Sequence, residues 1–183
     1  MDGTNGPEEG LMAAALGCGA DGAAMIDVAG IVFSPGFRAF CEDNRCGNYN
    51  RNWRCPPKAG EIGDLIGALR ARSRAMVFNL VVRLAGPFDW KGMEGGGLAF
   101  ARVCQDLAAR AGGIAPGATV LGAGPCRVCP VCALVTDEPC RNPDLAVTSL
   151  EACGVDVGRL SKLSGLSYHA GPSTVTYFGA VFV

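Results

Sequence analysis

Cys126, Cys129, Cys132 and Cys140 stand within fifteen residues, in a stretch that reads G-A-G-P-C-R-V-C-P-V-C-A-L-V-T-D-E-P-C from Gly122. Two-residue spacings let successive thiolates fold round one compact inorganic core, and Cys140, following Pro139, lies within loop reach as a fourth ligand. A triplet of this kind with a further cysteine is the pattern of ferredoxin-type [4Fe–4S] sites. Zinc also accepts four thiolates, but usually from two C-x2–4-C arms separated by a longer segment, so it stands as the alternative. Gly122 and Gly124 precede the triplet, where bare backbone amides can approach cluster sulfurs; a tight turn after a strand is the plainer reading. Arg127 and Arg141 flank ligand positions, suited to offset cluster charge or bind an anion, or to form surface ion pairs.

A second group, Cys41-x4-Cys46-x8-Cys55-Pro56-Pro57, supplies three local thiols. Three outcomes follow: a remote cysteine completes the set, one iron corner stays open as a Lewis acid, or the site is structural zinc. Of the remaining thiols, Cys153 is the candidate extra ligand. Cys104 falls on the apolar side of a helical pattern, where free cysteine packs as a small hydrophobe, and Cys18 is isolated between glycines. Tyr49 and Trp53 lie among the upstream thiols, to shield them, to stack on a planar substrate or to pack locally. Gly95-Gly96-Gly97 lacks the Lys-Ser/Thr of a nucleotide loop and reads as a flexible connection. Lys91, Glu94 and His169 are acid–base types in no demanding arrangement. Neither Ser–His–Asp logic nor a zinc-hydrolase motif is present.

The bulk numbers bound the rest. A chain of 183 residues, 49% hydrophobic, builds one real core and not two large ones, so the expectation is a single metal-binding domain over 1–183. Its cysteine-rich loops would lie at about 37–57 and 122–153. A net charge of −1 with a pI near 5.8 argues against a nucleic-acid surface. Ten cysteines invite either disulfides or metal. The opening M-D-G-T-N-G-P-E-E is no secretory leader, and the apolar runs fall short of a membrane span. The expectation is a soluble cytoplasmic protein with reduced or metal-bound thiols.

These thiols need elements to hold them. The patterns predict a short helix at 11–16 behind a frayed lead at 1–10, a strand at 23–28 and an apolar segment at 31–33. A turn at Ser34-Pro35-Gly36 and an irregular, asparagine-rich loop at 37–57 follow, the prolines giving it an extended exit. A helix over 60–72 precedes an interior strand over 75–84. A glycine-rich connection over 86–97 leads to a helix over 98–111 stopped by Gly112-Gly113, and then to a strand at 119–122. Residues 75–122 read as a βαβ unit. Thr148 and Glu151 have capping-box spacing before a turn at 150–153; a helix over 156–163 and a strand over 174–183 close the chain. The fold class expected is α+β, a mixed β-sheet with flanking helices and the cysteine loops at one end.

At these cysteine groups the sequence resembles an uncharacterised family of predicted metal-binding proteins, domain of unknown function 2284 (DUF2284). The residues carrying the likeness are Cys41, Cys46 and Cys55-Pro56-Pro57, then Gly122 to Cys126 with Arg127, Cys129 and Cys132-Ala133. It continues through Pro139-Cys140-Arg141-x-Pro143, Ser149, Glu151-Ala152-Cys153-Gly154, Asp156-Val157 and Tyr177-Phe178-Gly179. Family members often carry histidine at the position of Asn142 and arginine–proline at Val147-Thr148, so contacts made there differ in this chain. The resemblance implies metal binding in an anaerobic redox setting and supplies no reaction.

Three functions are compatible. One is an iron–sulfur protein with two [4Fe–4S] clusters in electron transfer, working with a redox protein or enzyme partner and with neither nucleic acid nor membrane. Another is an oxidoreductase-type enzyme whose open iron corner at Cys41/Cys46/Cys55 activates a small sulfur- or oxygen-containing ligand. The third is a zinc-bound structural or interaction protein.

Overall fold

A computed structural model describes residues 6–183; the expectation of a frayed lead falls partly on residues 1–5, outside the described residues. Among these, five strands form one sheet: β1 (Gly22–Asp27), β2 (Arg74–Arg83), β3 (Thr119–Gly122), β4 (Thr148–Ser149) and β5 (Thr174–Phe182). Their spatial order is β1-β2-β5-β3-β4. The first three pairings along that order are antiparallel, and β3 runs parallel to β4. The class is therefore α+β with a mixed sheet, as expected.

β2 explains why there are two layers of helix. Ala75 and Val77 face one way and Met76 and Phe78 the other, and all four are fully buried. A strand apolar on both faces needs cover on both. On one face, Val77, Phe178, Ala180 and Phe182 pack with Ile66 and Leu69 of α3 (Ile62–Arg70) and Leu160 of α5 (Val157–Ser164). On the other, Met76, Phe78 and Val181 pack with Leu11 and Ala15 of α1 (Pro7–Gly17) and Phe100, Val103 and Leu107 of α4 (Trp90–Ile114).

Several expectations change. α1 begins at Pro7, ahead of the apolar pattern, with proline in its first turn beside Glu8 and Glu9, residue types suited to a helix N-terminus. α4 runs straight through Gly95-Gly96-Gly97 and Gly112-Gly113, which read as a loop and a stop. Its start is set by Asp89, whose carboxylate accepts from the Gly92 N–H at 2.9 Å. A Cβ on Gly96 would lie 3.0 Å from both Tyr177 and Val82. Glycine thus lets the helix lie close on β5 and β2, where Phe100 stacks between Phe78 and Tyr177 at centroid distances of 5.6 and 5.7 Å. That packing outweighs a propensity cost of about 1 kcal/mol per glycine.

The βαβ reading also needs amendment. β2, α4 and β3 follow in order, but β5 lies between the two strands, antiparallel to each. The unit is split, because the C-terminal strand is apolar on both faces and takes the interior position. Residues 31–33 make only the bridge Phe33–Val155. The expected capping box does not form: Thr148 is in β4, and Ser149 Oγ accepts the Ala152 N–H at 3.2 Å. Among the described residues no helix is long and apolar enough to cross a membrane.

Candidate metal centre

Because β3 and β4 are parallel, their C-terminal ends open side by side, Gly122 opposite Ser149. The chain leaving β3 becomes Gly124-Pro125-Cys126, and the chain leaving β4 becomes a 3-10 turn, Glu151–Cys153. The upstream loop lies across both. It starts on α2 (Arg38–Glu42), which carries Cys41, and continues in turns through residue 59. Asparagine shapes those turns: Asn44 and Asn50 take left-handed φ values of 51° and 53°, and Asn44 Oδ1 accepts the Tyr49 N–H at 3.0 Å. Residues 56–59 lie in turns, so the exit is not extended.

Three successive side chains tie this loop to the downstream thiols. Asn52 Nδ2 donates to the Cys126 carbonyl at 3.0 Å, Trp53 Nε1 to the Glu138 carbonyl at 2.9 Å, and the Arg54 guanidinium to the Pro143 carbonyl at 2.7 Å. Two spaces result. Cys126, Cys129, Cys132 and Cys140 line one of about 20 Å³, walled by Asn52, Trp53 and Arg141. Cys41, Cys46 and Cys55 line another of about 190 Å³, together with Tyr49, Gly124, Pro125, Ser149 and Glu151. The segments 124–126 and 52–56 wall both.

All ten cysteines are free thiols. Burial raises the Cys126 thiol pKa, with the backbone N–H groups of Val128 and Val147 opposing. Burial pushes Cys55 up to about 12, and after burial come Cys46, Cys41, Cys126 and Cys132, so this thiol is within charge reach of both groups. Burial also raises Cys41, followed by the Glu151 carboxylate and Cys46, with the Arg38 guanidinium opposing. Protonated thiols must give up their protons to any metal they bind.

A single tetrahedral ion with bonds of about 2.3 Å draws its thiolates to within about 3.8 Å of one another. Among the described residues no three thiol, imidazole or carboxyl groups converge on such a point. Thiols that hold a polynuclear core stand further apart, since metal corners lie between them. The donor set and the upstream space fit such a core. The downstream space is about one water's worth, smaller than such a core.

The other candidates are placed as follows. Cys153 is buried in the apolar core and lines neither space; burial pushes its thiol up to about 12. Cys104 packs in the opposite core, as expected, and Cys18 stands near Arg110 and Asp106 of α4. Gly122 serves packing: a Cβ there would lie 2.9 Å from Cys104 Sγ. Gly124 borders the upstream space. Arg127 does not line the four-thiol space, whereas Arg141 does, ion-paired to Glu138 at 2.6 Å. Lys91 and Glu94 are exposed on α4. His169 is exposed, edge-on to Tyr168 at 5.1 Å.

Two contacts were not expected from the sequence. Asn142 Nδ2 donates to Cys129 Sγ at 3.2 Å; the signal was its position two residues after Cys140, where family members often carry histidine. Glu151 faces the upstream thiols, although its spacing read as a helix cap. Burial raises its carboxyl pKa, with its own backbone N–H and the Ser149 hydroxyl opposing.

The family described as "Predicted metal-binding protein (DUF2284)" matches residues 24–183. No curated protein and no solved structure matches the chain.

Proposed function

The chain belongs to the DUF2284 family of predicted metal-binding proteins, and from that premise we propose that it is a cytoplasmic iron–sulfur protein of anaerobic redox chemistry. It would hold two [4Fe–4S] clusters, one on Cys126, Cys129, Cys132 and Cys140 and one built on Cys41, Cys46 and Cys55. The supporting observation is that two thiol-lined spaces share the walls 124–126 and 52–56, with Cys55 in charge reach of both groups. When bound, an iron–sulfur cluster supplies a reversible one-electron site. The chain's own part is to hold it and tune it. Val128 and Val147 N–H groups stabilise negative charge on Cys126, Asn142 does so on Cys129, and Arg141 stands beside Cys129 and Cys132. Such donors raise a reduction potential. Adjacent centres would pass electrons between a redox partner and the upstream site.

The upstream space favours a second reading. It is the roomier of the two and carries Tyr49, Ser149 and Glu151 beside three thiols. A small sulfur- or oxygen-containing ligand bound there would make the protein an enzyme, fed with electrons from the downstream site. Purification without oxygen, with iron, sulfide and zinc assays and a reduced EPR spectrum, tests both readings. About eight irons and eight sulfides per chain are expected for two cubanes. Zinc without sulfide would overturn both and leave the structural zinc reading. A spectrum altered by an added small ligand favours the enzyme.

A further inference from the structure

We propose that the carboxylate of Glu151 is the fourth ligand of the Cys41/Cys46/Cys55 centre, and that its corner is the exchangeable one. The proposal rests on the iron–sulfur reading of that centre and identifies how its set is completed. The upstream loop brings three thiols, and a cubane has four metal corners. The short turn after β4 offers two candidates two residues apart, Glu151 and Cys153, and the fold separates them. Cys153 turns into the apolar core with Ile66, Leu69 and Leu160. Glu151 lines the space that the three thiols line, and among the described residues it is the one carboxyl group there.

Arg38 holds this arrangement in place. It is 8% exposed and lies three residues ahead of Cys41 on the same short helix. Its guanidinium donates to the Ala152 carbonyl at 3.3 Å, inside the Glu151–Cys153 turn, and to the Gly60 carbonyl at 2.7 Å beyond Cys55. One buried cation thus fixes the turn carrying Glu151 against the segments carrying Cys41 and Cys55. Ser149 lines the same space, and its hydroxyl accepts the Ala152 N–H at 3.2 Å inside the turn that carries Glu151.

On coordination the carboxyl gives its proton to solvent and bonds through oxygen, with no change in oxidation state. Oxygen is a harder donor than thiolate and a poorer partner for iron in a sulfur-rich core. The carboxylate is therefore the ligand most readily displaced, and a small anion such as cyanide takes its place. Tyr49 lines the same space.

The test uses anaerobically purified full chain enriched in iron-57. Iron content, Mössbauer spectra and cyanide titrations followed by EPR are compared for the native protein, Glu151→Gln, Glu151→Cys and Cys153→Ala. The native spectrum is expected to contain one iron with the larger isomer shift of oxygen ligation. Glu151→Gln should lose that signal while keeping its iron, and bind cyanide about tenfold tighter, the scale on which ligand changes act. Glu151→Cys should give an all-thiolate centre that no longer responds to cyanide. Cys153→Ala should leave the spectrum as native. A spectrum changed by Cys153→Ala and unchanged by Glu151→Gln overturns the carboxylate ligand alone. Equal iron in the native protein and in Cys41→Ser/Cys46→Ser overturns the upstream centre itself, and with it this ligand.

Discussion

Asn142 places one amide hydrogen on one sulfur, Cys129 Sγ, at 3.2 Å. A donor there stabilises the more negative, reduced state of whatever the thiolate ligates. With a net hydrogen bond worth about 0.5–1.5 kcal/mol, and 59 mV per tenfold for one electron, Asn142→Ala should lower the downstream potential by about 20–60 mV. Redox titration by EPR reads this, and a potential unmoved or raised would remove Asn142 from the tuning shell. A neighbouring residue acts through volume alone. Gly122→Ala places a Cβ 2.9 Å from Cys104 Sγ, and overpacking of that kind costs about 1–3 kcal/mol. A lower urea midpoint is expected, recovered in part by Cys104→Ala, which removes the sulfur it strikes. A loss of iron with an unchanged midpoint would instead return Gly122 to the metal site.

Elements carry other dependences. Arg74 opens β2 and donates to Glu8 of α1 at 2.8 Å and to Asp27 of β1, so it pins the N-terminus of α1 to the sheet. The Arg74 bond holds the Glu8 carboxyl below its ordinary 4.5. A depressed carboxyl contributes stability above its unfolded pKa and loses it as pH falls through the folded one. The urea midpoints of native protein and Glu8→Gln should therefore differ at pH 6 and converge as pH falls through the lowered Glu8 pKa. A gap that does not narrow on acidification would mean the pair does not titrate with folding.

The same scale shows why some elements could be read in advance. β2, α5 and β5 announce themselves through periodicity and caps, since the residues that define them are neighbours in sequence. α4 announced only its middle, 98–111; its ends did not, because their glycines read as breaks and the Tyr177 ring that makes Gly96 useful is far along the chain. The insertion of β5 into the βαβ unit was hidden for the same reason. The thiol spacings are local and could be read. Which of Glu151 and Cys153 faces the upstream thiols depends on how a single 3-10 turn is rotated, and that is set by Arg38 and Ile66 from elsewhere in the chain.

Over the whole molecule the two cysteine loops behave as one body. The upstream loop contributes little to either core, and its fixed points are Arg38, Asn52, Trp53 and Arg54 on downstream carbonyls. Ordering a long polar loop costs about 1–2 kcal/mol per residue of backbone, so these four hydrogen bonds without a metal hold it weakly. Metal binding and loop folding are then coupled. Removing metal anaerobically should raise amide exchange in 37–57 and 126–143 together, while β2 and β5, buried on both faces, stay protected. Asn52 is the joint to break. It is 5% exposed, and its loss leaves the Cys126 carbonyl without that donor, a cost of about 1–3 kcal/mol. Asn52→Ala should therefore speed exchange in both loops of the metal-loaded protein by about 5- to 150-fold. A response confined to 37–57, with 126–143 as slow as before, would show that the downstream thiols are ordered by their own ligand alone and that the shared wall couples nothing.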